Sequence, residues 1–176
     1  MTPVSPQVTV VKRTARGILL DGAPIGPHAP HPPEMLLIKR TKPGHDPYWI
    51  TPGGGFEPGV DETVVDALHR EMDEELGAKV TDVVPAFVDT VHNSRFPNDP
   101  RHGAKVQHFF VCRLASMDPS RRHGPEVEEP EGEYEIVRIP FTREGIDSVD
   151  LVPPTLRDYL RANIEGVLTL LAPDLT

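Results

Sequence analysis

Prolines limit where this chain can form regular structure. There are 21 among 176 residues, about 12% where ~5% is usual, and they are clustered. Each removes a backbone N–H donor and fixes φ, so a cluster can neither continue a helix nor sit in a central strand. Pro24 to Pro33 (PIGPHAPHPP) is therefore expected to belong to a loop, residues 22–34, inserted between two strands. His28 and His31 lie in it with metal-like spacing, but a proline loop without a third ligand is a poor preorganised site, and both are read as solvated. A second irregular stretch runs from Asp118 to Pro130. Neither stretch reads as a domain boundary and no internal repeat is present. The length fits one domain over residues 1–176, with residues 1–7 expected to be a flexible N-terminus.

Between these breaks, hydrophobic periodicity predicts the elements. Strands are expected over Val8–Leu20, bent or broken near Gly17, then Met35–Arg40, Val80–Val91 (interrupted at Pro85), Lys105–Leu114 and Tyr134–Phe141. One helix is expected from Thr63 to Leu76, with a capping box of Thr63 and Asp66 and a stop at Gly77. A second should run from Thr155 to about Leu171, with Leu156, Tyr159, Leu160 and Ile164 on one stripe. Several strands with one central and one terminal helix predict an α/β fold, a mixed sheet covered on both faces.

Charge and composition exclude some functions. Lys+Arg number 18 and Asp+Glu 27, giving −9, the wrong sign for holding bulk nucleic acid by its phosphates. Cys112 is the single cysteine, so an internal disulfide and a cysteine-rich zinc module are ruled out. No run approaches the ~18 apolar residues of a membrane span, and the start lacks the pattern of a signal peptide. A cytoplasmic setting without membrane association is the expectation.

The stretch from residue 52 to 78, PGGGFEPGVDETVVDALHREMDEELGA, carries the chemistry. On a helical wheel Glu71, Glu74 and Glu75 occupy one arc of about 100°. They flank the stripe of Val65, Leu68, Met72 and Leu76 rather than oppose it, which puts them at the mouth of a cleft. Like charges at these spacings each cost roughly 0.2–0.5 kcal/mol. Glu74 and Glu75 also oppose the helix dipole in the last turn. Arg70 relieves part of this, and a divalent cation is the natural neutraliser of the rest. Hard oxygen ligands suit Mg²⁺ or Mn²⁺ better than zinc. A run such as Arg70–Glu75 on its own is usually a solvated helix face; the preceding Gly53-Gly54-Gly55 changes the reading, because it lets backbone approach a bound ion or phosphate.

Together these residues resemble the Nudix box, whose ending appears here as Arg70-Glu71-Met72-Asp73-Glu74-Glu75-Leu76-Gly77. Pro52-Gly53-Gly54 matches its lead-in, and Glu57 and Gly59 are also in register. The box spans residues 53–78 with two departures. Seven residues rather than five separate Gly54 from Glu62, a two-residue insertion around Val60 and Asp61 that unsettles the supporting role usual for the glutamate at Glu62. Ala78 replaces a larger aliphatic residue.

The resemblance implies a Nudix-type α/β/α sandwich with a mixed central sheet. It also implies hydrolysis of a phosphoanhydride bond in a nucleoside diphosphate linked to another group, by metal-activated water. Carried over residue by residue, Glu71, Glu74 and Glu75 would bind Mg²⁺, or Mn²⁺, and one of them would handle the water's proton. Arg70 would hold a glutamate in place and the Gly53 carbonyl would complete the metal shell. A further acidic ligand is expected from the run Glu126–Glu135, with Glu128, Glu129 and Glu131 as candidates; a solvated acidic loop is the alternative. Arg40 and Lys42 are candidates for meeting substrate phosphates, with a generic surface role as the alternative; Trp49 and Tyr48 are candidates for stacking on a base, although an aromatic before Pro-Gly-Gly is more often packing. His92 and His108 are read as ordinary strand residues. The expected partner is a small nucleotide or nucleotide-linked molecule, and a homodimer is the assembly that the resemblance suggests. A nucleotide-sensing module of the same fold is the alternative function, although such modules tend to lose box glutamates. Isoprenoid diphosphate isomerase chemistry is disfavoured because the only cysteine lies in a strand.

Overall fold

A computed structural model describes residues 9–93, 103–128 and 131–174 of the chain; the expectations for residues 1–7 and for Glu129 lie outside them. Seven strands form one mixed sheet: β1 (Val10–Asp21), β2 (Glu34–Thr41), β3 (Tyr48–Ile50), β4 (Gly53–Gly55), β5 (Ala78–Asn93), β6 (Gly103–Met117) and β7 (Glu133–Pro140). The hydrogen-bonded order is β3-β2-β1-β6-β5, with β7 added to β2 and β4 to β1. Only β1 and β6 pair in parallel. The helices are α1 (Val64–Leu76), α2 (Pro125–Glu128), α3 (Arg143–Asp147), α4 (Pro154–Ala162) and α5 (Ile164–Leu170).

Strand alternation divides the core in two. On one face Ile18, Leu20, Met35, Leu37, Phe109 and Val111 pack with Leu156, Leu160 and Val167 of α4 and α5. On the other, Leu19, Leu36, Ile38, Phe110 and Cys112 pack with Leu68, Met72 and Leu76 of α1. The α/β/α layering expected from the sequence therefore forms. No described helix is long and apolar enough to cross a membrane.

β1 is continuous through Gly17 rather than broken there. Its glycine has a packing reason: a Cβ would overlap the Met72 methyl, so the missing side chain lets α1 lie against the sheet. Near this point β1 changes partner. Thr14–Arg16 pair with β4, Leu19–Asp21 pair with β2, and the Gly17 N–H between them donates to the Pro52 carbonyl at 2.9 Å. The strand thus forks, and the glycine-rich β4 lies in the fork beneath α1.

The terminal helix is two helices. α4 stops at Asn163, whose side-chain amide donates to the Tyr159 carbonyl at 2.8 Å. An asparagine side chain that bonds the backbone competes with helix propagation, and α5 restarts at Ile164. The proline loop contains exposed His28 and His31, yet Ile25 within it is buried in the α4–α5 face.

Candidate active site

The start of α1 is fixed by Thr63 and Asp66, which exchange hydrogen bonds at 3.1 and 2.9 Å as a capping box. Gly77 closes the helix, its N–H bonding the Asp73 carbonyl. These caps set the phase of the helix, and that phase turns Glu71 and Glu75 toward β4.

Glu75 is 4% exposed, and its Oε2 accepts the Gly53 N–H at 2.9 Å. Burial, then a hydrogen bond with Glu126, pushes its carboxyl well above the usual range. Glu71 lies over Gly54 so closely that a Cβ there would run into its carboxylate. Its carboxyl is also raised, first by burial and then by the charges of Glu74 and Glu126, with Arg70 opposing.

Arg70 is the hub. Its Nη1 donates to Glu71 at 3.0 Å and Glu74 at 3.3 Å, and its Nη2 donates to the Gly55 carbonyl at 2.8 Å. Its fork is filled by Asp61, which accepts from Nε at 3.0 Å and Nη2 at 2.9 Å. A bidentate pair of this kind is charge-assisted and directional. The Arg70 bonds hold the Asp61 carboxyl below its ordinary value. Asp61 also accepts the Glu57 N–H at 2.9 Å.

The insertion is thereby accommodated: Asp61 is buried against Arg70, while Glu62 is exposed. The acid adjoining Glu62 was visible in the sequence, but only the turn geometry selects it.

Among the described acids outside the box, Glu126 of α2, itself exposed, lines the recess beside the site and raises the Glu75 carboxyl and the Tyr134 phenol. Glu128 is exposed, and Glu131 pairs with Lys42 at 3.7 Å. Tyr134, pushed up to about 12 by burial and by the Glu126 charge, lies 4.4 Å from the Arg40 guanidinium. Arg40, Pro125, Glu126, Glu131 and Tyr134 line a recess of about 330 Å³ that shares Glu126 with the carboxylate cluster. Arg40 therefore stands beside the site, with its Nε buried and unpartnered among the described residues. Lys42 is at the rim.

Trp49 is not brought to the cluster. Strand alternation places it on the α4–α5 face, packed against that core, while its backbone bonds Asp150 and Val152. Its neighbour Tyr48 lies 6.0 Å from the Arg40 guanidinium. His108 accepts from Arg13 Nη1 at 2.9 Å, and burial and that cation lower its pKa. His92 is exposed. The sequence reading also passed over Arg16, whose Nη1 donates to the Thr51 and Gly53 carbonyls at 3.1 Å each.

The Gly53 carbonyl is thus already engaged by a cation, and among the described residues no three acidic, His or Cys side chains converge as a ready-made cage. The donor set nonetheless fits a hard divalent ion. Glu71 and Glu75 both lie against the glycine strand β4, and burial raises both carboxyls.

Comparison with known proteins gives the family and the fold. The family model described as NUDIX domain matches residues 22–142. An RNA pyrophosphohydrolase of Helicobacter pylori is 28% identical over 109 residues, 58% of this chain and 67% of the relative. A NUDIX hydrolase structure from Nitrosomonas europaea superposes with a TM-score of 0.58 at 17% identity, covering 85% of each chain. A bifunctional NMN adenylyltransferase/ADP ribose pyrophosphatase from Francisella tularensis, complexed with AMP and a Mn ion, gives 0.52 at 16% identity over 93% of this chain and 43% of that one. The chain belongs to the Nudix family.

Proposed function

We propose that this protein hydrolyses a phosphoanhydride bond in a nucleoside diphosphate linked to another group, using Mg²⁺ or Mn²⁺ held by Glu71, Glu75 and Glu126, with Glu74 at the edge. The observations that carry this are the Glu71 carboxylate lying over Gly54 and the Glu75 carboxylate held by the Gly53 N–H, with Glu126 in the adjoining recess. A bound cation would polarise a phosphoryl oxygen and acidify a water.

The chain's own groups do the rest. One of Glu71, Glu74 and Glu75 would take the water's proton. The Gly53 N–H orients the Glu75 carboxylate, and Arg70 fixes Glu71 and Glu74 while itself locked by Asp61. Arg40, at the adjoining recess, is placed to meet an anionic part of the substrate, with Lys42 contributing charge from the rim.

Nucleoside triphosphates and nucleotide-linked metabolites are the candidate substrates. RNA joins them because the Helicobacter relative bears that name. A panel of these compounds with Mg²⁺ or Mn²⁺, scored for released phosphate or pyrophosphate, tests the reading. Cleavage of at least one compound is expected. No turnover across the panel would favour a nucleotide-sensing module instead.

A further inference from the structure

The loop that carries Glu126 is fastened to the C-terminal end of α1. That end has no basic residue in its last turn, and the last carbonyls of any helix lack partners within it. Here they are met from outside. The Asp118 N–H donates to the Gly77 carbonyl and the His123 N–H to the Glu74 carbonyl, each at 3.0 Å. Arg122 Nε donates to the Glu75 carbonyl at 2.6 Å. The same guanidinium lies 6.0 Å from the Tyr134 ring centroid. Gly124 then turns the chain against Glu74, where a Cβ would come within 3.1 Å of Oε2. Two residues later Glu126 lines one recess with Tyr134 and Arg40.

We infer that Arg122 is a positioning residue for the cation site: it clamps the backbone of Glu75 to the loop that delivers Glu126. A cation at a helix C-terminus is favoured by the dipole, and its bond to a carbonyl is charge-assisted. Neither fact alone makes Arg122 more than a cap. What does is its place between the two, since one guanidinium bonds the backbone of the first carboxylate's residue and faces, at 6.0 Å, the Tyr134 ring that lines a recess with the second. Without it, Glu126 would have to be ordered when the ion binds, and that ordering would weaken binding. Partners that orient metal ligands typically change metal affinity by 10–100-fold when lost.

The inference rests on the metal-site reading above, and Mn²⁺ binding separates the two. Mn²⁺ is titrated into the full chain without substrate, and the free ion is followed by electron paramagnetic resonance. Arg122→Gln is expected to bind about tenfold more weakly than wild type. Glu126→Gln is expected to weaken binding too, and the double variant should bind no more weakly than Glu126→Gln alone, because Arg122 acts through Glu126.

Wild-type affinity in Arg122→Gln, or losses that multiply in the double variant, would overturn the inference. So would an equal loss in Arg121→Gln, a neighbouring exposed arginine, since that would reduce the effect to net charge. Arg122→Lys keeps the charge but not the Nε donor, and serves if the glutamine variant fails to fold. It too is expected to bind more weakly than wild type, and wild-type affinity in it counts against the clamp. Absence of Mn²⁺ binding by the wild type would sink the metal-site reading, and the clamp with it.

Discussion

The face of the sheet under α4 and α5 and the face under α1 use the same strands, yet they are buried by different means. The first cluster is wholly apolar, with Phe109, Phe141, Leu156 and Leu160 at its centre. The second has an apolar middle, but its border holds Asp61 and Glu75, both buried acids. Burying a charge is costly unless it is paired and hydrogen-bonded, and the two acids meet that demand differently. Asp61 is neutralised by Arg70. Glu75 has the Gly53 N–H as its hydrogen-bond donor, and burial raises its carboxyl. One face is therefore stability alone, while the other gives up stability where the chemistry is expected.

Variants can break or sharpen this contrast. Leu156→Ala, on the apolar face, should cost about 2–5 kcal/mol in denaturant unfolding and leave the folded protein's turnover within a few-fold of wild type. A large loss of turnover at full folding would blur the distinction between faces. Glu75→Gln should do the opposite. Turnover should fall at least ~100-fold, about 2.7 kcal/mol of barrier, with thermal stability unchanged or raised because a buried charge is gone. Full activity in this variant would remove Glu75 from the metal site.

Asp61→Asn should lose roughly 1–3 kcal/mol of stability, because the Arg70 fork keeps a neutral partner in place of a charged one, and turnover should drop with it. Glu62→Gln should stay within about 0.5 kcal/mol of wild type, as an exposed side chain does. Equal effects in the two would mean that Glu62 shares the role. The smallest effect concerns Cys112, whose thiol burial raises from 9.0 to about 12. At pH 8 it should resist thiol reagents in the native state and react in denaturant. Its contribution to stability is complete below about pH 9 and is lost as pH rises toward 12, because the unfolded chain releases the proton first. Native-state labelling at pH 8 would show that the α1 face opens more readily than its packing implies.

The elements that repeat a period were legible in the sequence. The long strands and α1 follow from alternation, from the helical stripe and from the Thr63 cap, and Glu71, Glu74 and Glu75 follow from the helical wheel. β3 and β4 were not, since three residues, one set of them all glycine, carry no period; they exist because β2 and β1 offer open edges. The split at Asn163 escaped because a single side chain turned on its own helix decides it. Glu126 could be narrowed to an acidic run but not chosen from it, since the choice depends on the turn at Gly124 and the clamp on α1. Trp49 could be read as packing or as a base-stacking residue, because the sequence does not show which face of a three-residue strand is outward.

The capping box on α1 has a consequence for how such chains can change over time. Because Thr63 and Asp66 start the helix locally, the phase of Glu71 and Glu75 is set without reference to how many residues separate it from Gly54. The connecting turn can gain two residues and bring a different acid to Arg70, as it does here with Asp61, without rotating the helix. Length variation is absorbed in a segment that needs only an acid within reach of the arginine, so the catalytic face is insulated from insertions in its own lead-in.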